Sequence, residues 1–252
     1  MPKSPLKIQK CGYVLRIIFD RAAKGNIIDS AMARELKDTC LGVNSDENVR
    51  VVLITANGKD FCIGSEFEQF TPDQDINHYQ VASAIGNIEK PVIVAIQGKC
   101  LGQGLELALA CDIRLAAANA QFGFPGIARG FIPADGGTQR LPRIIGKGKA
   151  LEMILTAIIL DAGEAEVLGM VSKVCEVSSL AGEAEQLAIV MAKKAPVALR
   201  YVKEAVNKGL DLTQEQGLRL EADLYFLLHT TADRTEGINA FLEKRTPEFN
   251  GK

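Results

Sequence analysis

The segment Leu101-Gly-Gln-Gly-Leu-Glu-Leu-Ala-Leu-Ala-Cys-Asp112 joins a glycine turn to an almost entirely apolar stretch that carries one carboxylate, Glu106. From Leu105 to Cys111 every residue except Glu106 is Leu, Ala or Cys, which predicts a buried helix. A buried carboxylate is costly unless it is protonated or partnered. Small residues leave the N–H groups of the first helical turn accessible, and these groups stabilise negative charge. Glu106 is therefore a candidate for proton transfer beside a developing anion.

The composition is that of a globular protein with ample length for a core. The 252 residues are 47% hydrophobic and 24% charged. No run of about 18 apolar residues predicts a membrane span. The N-terminus lacks the apolar segment of a signal peptide, so a cytoplasmic location is expected. A net charge of −2 gives no electrostatic reason to expect nucleic acid as a partner.

The cysteines and histidines exclude several kinds of site. Six cysteines are scattered without a C-x-x-C pair, and their apolar flanks predict reduced, buried thiols. Only two histidines occur, so a histidine-rich metal site is excluded. The chain also has neither a P-loop nor a G-x-S-x-G nucleophile turn, so we predict no metal and no Ser-His-Asp hydrolase. The cysteines are Cys11, Cys40, Cys62, Cys100, Cys111 and Cys175.

Short apolar runs alternate with helical patterns, which predicts an α/β fold. The predicted strands cover residues 13–19, 51–55, 91–97, 113–117 and a last strand near 170–177. The predicted helices cover residues 30–40, 76–88, 104–111, 149–156, 181–194, 197–208, 213–228 and 235–245. Pro196 separates two of the later helices. The predicted organisation is an α/β core over residues 1–195 and a helical C-terminal region over residues 196–252.

Residues 51–65 resemble residues 92–103. Both stretches consist of an apolar strand, a Gly-Lys turn, a cysteine, an aliphatic residue, a glycine and a polar residue. The similarity predicts a repeated strand-turn-helix unit and a stacked or spiral fold. In each copy the glycine precedes a backbone N–H at the entrance to a helix, and these N–H groups belong to Ser65 and Gln103. Two such groups are able to converge on one carbonyl oxygen.

Four motifs stand in order along the chain: Lys90-Pro-Val-Ile-Val-Ala-Ile-Gln-Gly98, Leu101-Gly-Gln-Gly-Leu-Glu-Leu-Ala108, Gln121-Phe-Gly-Phe-Pro125 and Gly136-Gly-Thr-Gln-Arg-Leu-Pro142. Together they closely resemble the enoyl-CoA hydratase/isomerase, or crotonase, superfamily, and the resemblance covers nearly the whole chain. It implies a crotonase-type spiral of ββα units with C-terminal helices that form a homotrimer or a hexamer of two trimers. It also implies an acyl-CoA substrate held by its thioester carbonyl in an oxyanion hole, with no separate cofactor because CoA is part of the substrate.

The resemblance assigns roles to individual positions. The backbone N–H groups of Ser65 and Gln103 match the two oxyanion donors, although Gln103 stands where many relatives have glycine. Removing one donor of this kind costs about 100-fold to 1000-fold in rate. Glu106 matches the first of two glutamates with which hydratases hold and activate water. The second glutamate should follow the Phe-Gly-x-Pro motif, where this chain has Gly126.

Asp135 is the candidate that replaces the second glutamate. Its loop resembles those of dienoyl-CoA isomerases, naphthoate synthases and aromatic acyl-CoA dehalogenases, in which an Asp beside this turn enters the active site. There it would exchange protons as the partner of Glu106 or attack as a nucleophile. An Asp before Gly-Gly-Thr is equally a good turn or helix N-cap residue. Both interpretations of Asp135 are open at the level of sequence.

The resemblance further implies segments that hold the CoA part of the substrate. One is a loop along the CoA, a second lines the entrance for the adenine and the acyl group, and a third near the C-terminus closes over the CoA. For Lys244 in the C-terminal segment, the alternative interpretation is a solvated surface lysine. The residues predicted to contact the substrate are Lys24, Asn26, Ile28, Ile63, Gly64, Phe67, Gly102, Gly126, Phe241 and Lys244.

The sequence thus predicts an enzyme that hydrates or isomerises the double bond of an unsaturated acyl-CoA through a thioester enolate. One alternative is a cyclic dienoyl-CoA hydratase or a dienoyl-CoA isomerase that uses Glu106 and Asp135. A second is a CoA-binding scaffold that has lost turnover together with the second glutamate. A dinucleotide-binding reductase is disfavoured, because Leu107 occupies the place of the third glycine in G-x-G-x-x-G.

Overall fold

A computed structural model describes residues 4–66 and 79–252. Strands and helices alternate through these residues, as the sequence predicts. The strands are β1 (Leu6–Cys11), β2 (Val14–Phe19), β3 (Val51–Ala56), β4 (Val92–Ile96), β5 (Lys99–Leu101), β6 (Ile113–Ala117), β7 (Gln121–Gly123), β8 (Leu160–Asp161) and β9 (Lys173–Cys175). The helices are α1 (Ser30–Ser45), α2 (Ala82–Gly86), α3 (Gln103–Ala110), α4 (Gly137–Ile145), α5 (Lys147–Thr156), α6 (Ala162–Val167), α7 (Leu180–Ala192), α8 (Pro196–Gly209), α9 (Gln214–Leu228) and α10 (Ala232–Leu242).

Two sheets share the strands. The larger sheet has the order β1-β2-β3-β4-β6-β9 and is parallel except for the β1–β2 pair. The smaller sheet has the order β5-β7-β8. The chain passes from β4 to β5 and from β6 to β7, so each pass adds one strand to each sheet. The two similar stretches lie side by side. Val52 pairs with Val92 in the larger sheet, and the backbones of Cys62 and Cys100 form an isolated parallel β-bridge.

The central strands are buried on both faces. Side chains alternate across a strand, so Val52 and Ile54 of β3 belong to a core that includes residues of α1 and α3. Val51 and Leu53 face the opposite way and pack in a second core with residues of α7. Nearly continuous apolar strands are typical of a parallel sheet covered by helices on both sides. This packing fixes the C-terminal ends of β3 and β4. The turns of the candidate site follow these two strands in the chain.

Helix α3 is buried along its whole length and is held at its C-terminal end by Arg114. The Arg114 side chain is itself buried and donates from Nη1 to the carbonyl oxygen of Cys111 at 2.5 Å and from Nε to that of Met170 at 2.6 Å. A cation at this end satisfies carbonyl groups that lack helical partners and complements the helix dipole. The position of α3, which carries Glu106, is therefore rigidly determined.

Several boundaries differ from the sequence prediction. The predicted helix over 76–88 is observed from Ala82 to Gly86; its residues 76–78 lie outside the described part of the chain, and residues 79–81 are not helical. Helix α1 continues to Ser45, five residues beyond its predicted end. Helix α4 is absent from the prediction because it contains Pro142, a residue that usually ends a helix. Strands β5, β7 and β8 have only two or three residues, too few to show a period.

Helices α8, α9 and α10 form the C-terminal region, which is attached to the sheet by polar contacts. The Lys203 ammonium group of α8 donates to Asp112 at 2.7 Å and to the carbonyl oxygen of Lys90 at 3.0 Å. Within the C-terminal region itself, the Asp233 carboxylate of α10 accepts hydrogen bonds from the N–H groups of Asn250 and Gly251. Among the helices of the described chain, none combines the length and the apolar character needed to cross a bilayer.

Candidate active site

Glu106 lies in the first turn of α3 and is 2% exposed, which confirms the predicted burial. Its Oε1 accepts hydrogen bonds from the backbone N–H groups of Asp135 at 2.7 Å and Gly137 at 2.8 Å. Gly137 is the first residue of α4, so the carboxylate faces the positive end of that helix. Within the described residues Oε2 receives no hydrogen bond of comparable length. One oxygen of Glu106 is therefore fixed by two backbone N–H groups.

The surroundings of Glu106 adjust its pKa toward neutrality. The pKa is raised overall from 4.5 to about 7, and burial is the largest cause. The N–H groups of Gly137 and Asp135 oppose this by lowering the pKa, whereas the negative charge of Asp135 raises it. A carboxyl group with such a pKa is present in both protonation states at neutral pH. It is thus able to accept and return a proton within one reaction.

Two glycine turns meet beside Glu106. Gly64 has a φ of 131° and Gly102 a φ of 53°, both in the region that glycine adopts without strain. A Cβ atom built on Gly102 would lie 3.8 Å from the Cα atom of Gly64, so the two backbones are in van der Waals contact. The next N–H groups along the chain belong to Ser65 and Gln103, and neither donates to a residue within 4–66 or 79–252. The structure thus brings together the two glycine turns that the internal similarity pairs.

Gly104 allows this close approach. A Cβ atom at this position would lie 2.6 Å from the carbonyl oxygen and 2.9 Å from the Sγ atom of Cys62. Real Cβ atoms do not make contacts this short, so any larger residue would push α3 away from the Cys62 turn. The Leu101 N–H also donates to the Cys62 carbonyl oxygen at 2.9 Å. The glycine thus keeps the start of α3 against the turn that leads to Ser65.

Asp135 is 3% exposed and binds the start of α2. Its Oδ2 accepts hydrogen bonds from the N–H groups of Val81 at 2.7 Å and Ala82 at 2.9 Å, and from the Gln103 side chain at 3.0 Å. The sequence left Asp135 open as a catalytic group or as a helix cap. The structure shows hydrogen bonds of the capping kind, but the capped helix is α2 and not α4, which follows Asp135 in sequence. Because the Asp135 N–H also holds Glu106, this one residue connects α2, α3 and α4.

Gly126 lies in a 3₁₀ turn, Pro125–Arg129, and is half-buried. A Cβ atom built there would lie 3.4 Å from the Cβ atom of Phe131, an ordinary contact, so the backbone accepts a side chain at this position. The turn adjoins the start of α4, since a Cβ atom on Gly137 would lie 2.9 Å from the ring of Phe124. The position where hydratases are expected to carry their second glutamate is thus sterically open but has no carboxylate.

The loop predicted to lie along the CoA runs beside the Ser65 turn. The Ile28 N–H donates to the Gly64 carbonyl oxygen at 3.0 Å, and the Ile63 N–H donates to that of Gly25 at 3.1 Å. Lys24 is exposed and Ile63 is partly exposed, so both side chains are available to a ligand.

Asn26 and Ile28, in contrast, are fully buried. The Asn26 side chain binds the backbone N–H of Arg21 and the carbonyl oxygens of Asn57 and Asp60 at 2.9–3.0 Å. The prediction that Asn26 and Ile28 contact the substrate therefore needs correction as regards their side chains. The Asn26 side chain holds the loop through these hydrogen bonds, and the Ile28 side chain packs in the core.

The remaining predicted contacts lie elsewhere. Phe67 is outside the described residues. Phe241 is 81% exposed in the last turn of α10, and Lys244 follows it with a φ of 54°. In the described chain no hydrogen bond or ion pair joins Phe241 or Lys244 to Glu106. These two residues lie on an open surface of the subunit.

Two features of the site are missing from the sequence prediction. The first is the role of the Gly137 N–H as a donor to Glu106, for which the Gly136-Gly137 pair at a helix start is the only local signal. The second is the Gln103 side chain, which links the candidate oxyanion turn to Asp135 and for which we find no local signal. Across residues 4–66 and 79–252, His, Cys, Asp and Glu side chains form no group of three that suits a metal ion.

The sequence and the fold are similar to those of known proteins. The sequence model of the family described as enoyl-CoA hydratase/isomerase matches residues 9–252. The chain is 36% identical to the 2,3-dehydroadipyl-CoA hydratase of Escherichia coli, covering 99% of this chain and 100% of that protein. It is 37% identical to the crotonyl-CoA hydratase of Syntrophomonas wolfei over 94% of each chain. The crystal structure of an enoyl-CoA hydratase from Bacillus anthracis superimposes with a TM-score of 0.94 at 35% identity, covering 98% of this chain and 100% of that one.

Proposed function

The chain belongs to the enoyl-CoA hydratase/isomerase family, and from that premise we propose that Ser65 and Gln103 stabilise a thioester enolate while Glu106 transfers the proton. The protein is an acyl-CoA enzyme of the hydratase/isomerase type, and its fold is that of the family. The observation that carries the proposal is the buried Glu106 carboxyl, with a pKa of about 7, one turn from the unengaged Gln103 N–H.

The proposed mechanism follows from where negative charge develops. The thioester oxygen accepts hydrogen bonds from the Ser65 and Gln103 N–H groups, which stabilise the enolate more than the neutral carbonyl. In hydration, ionised Glu106 takes a proton from water while the oxygen of that water attacks the β-carbon, and the protonated Glu106 then gives this proton to the α-carbon of the enolate. In isomerisation, Glu106 removes a proton from one carbon of the allylic system and returns it to another. Both reactions use the same donors and the same carboxylate.

Glu106→Gln tests this assignment. The variant is expected to lose most of its turnover of both crotonyl-CoA and a 3-enoyl-CoA, because an amide cannot accept the proton. Its affinity for a saturated acyl-CoA is expected to stay within a few-fold of the original, because the CoA contacts are elsewhere. Normal turnover on either substrate would contradict the role of Glu106 in that reaction.

We assign Asp135 as a positioning residue. Its Oδ2 already accepts three hydrogen bonds, and its N–H orients Glu106. Asp135→Asn is therefore expected to lower the melting temperature and to reduce kcat by less than Glu106→Gln does. A loss of turnover equal to that of Glu106→Gln, with an unchanged melting temperature, would instead make Asp135 an acid/base partner or a nucleophile, as in the dienoyl-CoA alternative.

We further propose that the C-terminal region, residues 196–252, forms a homotrimer or a hexamer of two trimers. Exposed apolar residues spaced by four occur on α8 and at its C-terminal cap, and others occur on α9; exposed apolar residues that cluster are typical of interfaces. These residues are Val202, Val206, Leu210, Leu218 and Phe226. Light scattering should give a mass three or six times that of the chain, and Val206→Glu should reduce it. A monomer at micromolar concentration would contradict the proposal.

A further inference from the structure

The side chain of Gln103 has a single possible orientation. Its Nε2 donates to the carbonyl oxygen of Tyr79 and to Oδ2 of Asp135, the latter at 3.0 Å. Both partners accept hydrogen bonds, so the nitrogen of the amide must face them and its oxygen must point away. Gln103 is 2% exposed, and water in the bulk solvent does not reach this oxygen.

Two buried acceptor atoms follow from this arrangement. Gln103 Oε1 and Asp135 Oδ1 have no hydrogen-bond partner in the described part of the protein. They belong to two side chains that are joined by the 3.0 Å hydrogen bond, so both are part of one buried polar cluster. Buried polar atoms in folded proteins almost always have a partner, and leaving a buried acceptor without one is destabilising. A bound hydroxyl group, with one hydrogen, would supply a partner to one of these atoms, and a bound water molecule, with two, could supply both.

The position of these atoms relates them to the reacting group. The backbone N–H of Gln103 is a proposed oxyanion donor, and the backbone N–H of Asp135 donates to Glu106 at 2.7 Å. The two residues that carry these acceptors therefore connect the proposed oxyanion donor with the proton-transfer group. The Asp135 carboxylate already receives two backbone N–H groups and an amide, which compensate much of its charge. A neutral O–H group suits such a site better than a cation.

We propose that Gln103 Oε1 and Asp135 Oδ1 form a subsite for an O–H donor, either a hydroxyl group of the acyl chain or the water molecule that adds to the double bond. The inference rests on the proposed acyl-CoA function and adds a specificity to it. A site built to receive a hydrogen bond discriminates strongly against a ligand that lacks the donor, because its polar atoms are then left unpaired.

The unmodified enzyme provides the first test. Three sets of enoyl-CoA substrates of equal chain length are compared, carrying a hydroxyl, a methoxy group or hydrogen on the first or second carbon beyond the double bond. If the donor is a substrate hydroxyl, kcat/KM for one hydroxylated substrate exceeds that of its methoxy and unsubstituted counterparts at least tenfold. The affinities of the saturated hydroxy and methoxy acyl-CoA thioesters are measured by calorimetry. The hydroxy thioester is expected to bind more tightly than the methoxy thioester, and this comparison does not require turnover.

Gln103→Met provides the second test, with Gln80→Met as its matched control. Gln80 donates to the Ala134 carbonyl oxygen at 2.7 Å, so its replacement also loosens the Asp135 loop but removes neither acceptor of the subsite. If the donor is a hydroxyl, Gln103→Met lowers the hydroxyl-to-methoxy ratio of kcat/KM at least fivefold. If the donor is water, a second ratio is informative: the rate of crotonyl-CoA hydration divided by the rate of α-proton exchange of butyryl-CoA in D2O. Gln103→Met then lowers this ratio at least fivefold. Gln80→Met changes neither ratio.

Two results would overturn the subsite. One is an unmodified enzyme without hydroxyl preference in rate or affinity, combined with unchanged ratios in Gln103→Met. The other is an equal change of the ratios in both glutamine variants, which would show that Gln103 only supports the loop. Absence of turnover on every enoyl-CoA would count against the proposed function, whereas the affinities of the hydroxy and methoxy thioesters would still decide on a hydroxyl subsite.

Discussion

Replacement of Glu106 by glutamine should change the pH dependence of stability as well as the activity. Glutamine has nearly the same volume as glutamate, and its carbonyl oxygen is able to accept the hydrogen bonds from the Asp135 and Gly137 N–H groups. What the variant lacks is a group that ionises. Any difference in pH dependence between the two proteins therefore reports on the carboxyl group itself.

The magnitude follows from the pKa of Glu106. Burial places it at about 7 in the folded protein, compared with 4.5 for an exposed glutamate. Below pH 4.5 the carboxyl is neutral in both states and has no effect on stability. As the pH rises from 4.5 to 7 the unfolded chain ionises while the folded protein keeps its proton, so the original protein loses stability across this window. Each pH unit corresponds to about 1.4 kcal/mol, which gives a loss of about 3 kcal/mol that is complete above pH 7.

The assay is urea unfolding of both proteins between pH 4 and pH 8, at one protein concentration because oligomers are stabilised by mass action. The free energy of unfolding of Glu106→Gln minus that of the original protein is expected to rise by about 3 kcal/mol between these limits. Turnover of crotonyl-CoA is expected to fall by about 10²-fold to 10⁴-fold at every pH. A difference in stability that stays constant from pH 4 to pH 8 would refute the claim that burial keeps Glu106 protonated.

Three further substitutions test other parts of the site. Gly126→Glu places a second carboxylate where the Cβ atom meets Phe131 at an ordinary 3.4 Å, and should raise crotonyl-CoA hydration by about tenfold or more, measured by loss of the enoyl absorbance. Gly104→Ala brings a Cβ atom to 2.6 Å from the Cys62 carbonyl oxygen; urea unfolding should show a loss of about 1–3 kcal/mol, with lower kcat because α3 is displaced. Asn26→Ala leaves three backbone groups without their partner and should cost about 2–4 kcal/mol in the same assay.

Each of these variants has a matched control. Gly126→Gln fills the same space without a carboxylate, and an equal gain in hydration would assign the effect to packing. Gly148→Ala is also a glycine replacement in a helix but meets no atom within 4 Å, so stability should be unchanged or rise by about 0.5–1 kcal/mol. Asn44 binds two backbone groups at the surface, and Asn44→Ala should cost less than about 1 kcal/mol. If Asn26→Ala were no worse than Asn44→Ala, the loop would not depend on that buried amide.

Local patterns in the sequence were sufficient for the elements that build the site. Strand β4 is a continuous apolar run, strands β3 and β6 contain one polar residue each, and residues 105–110 of α3 are apolar except for Glu106; burial follows largely from this composition. The similarity of residues 51–65 to residues 92–103 also paired Ser65 with Gln103, because both N–H groups follow a glycine at equivalent points of a repeated unit. These predictions depend on residues that are near one another in the chain. The family followed from four motifs in a fixed order, and the comparisons confirm it.

The sequence alone therefore determined the family and predicted which groups carry the chemistry, whereas the tertiary structure decided how these groups are held. Asp135 caps α2 through hydrogen bonds that span 53 and 54 residues, and Glu106 is bound by N–H groups 29 and 31 residues away. Gln103 reaches Asp135 across 32 residues. Such bonds depend on how the turns before α2, α3 and α4 come together in space. No period or propensity of a single segment encodes that meeting, because its partners become neighbours only when both sheets and their helices have packed.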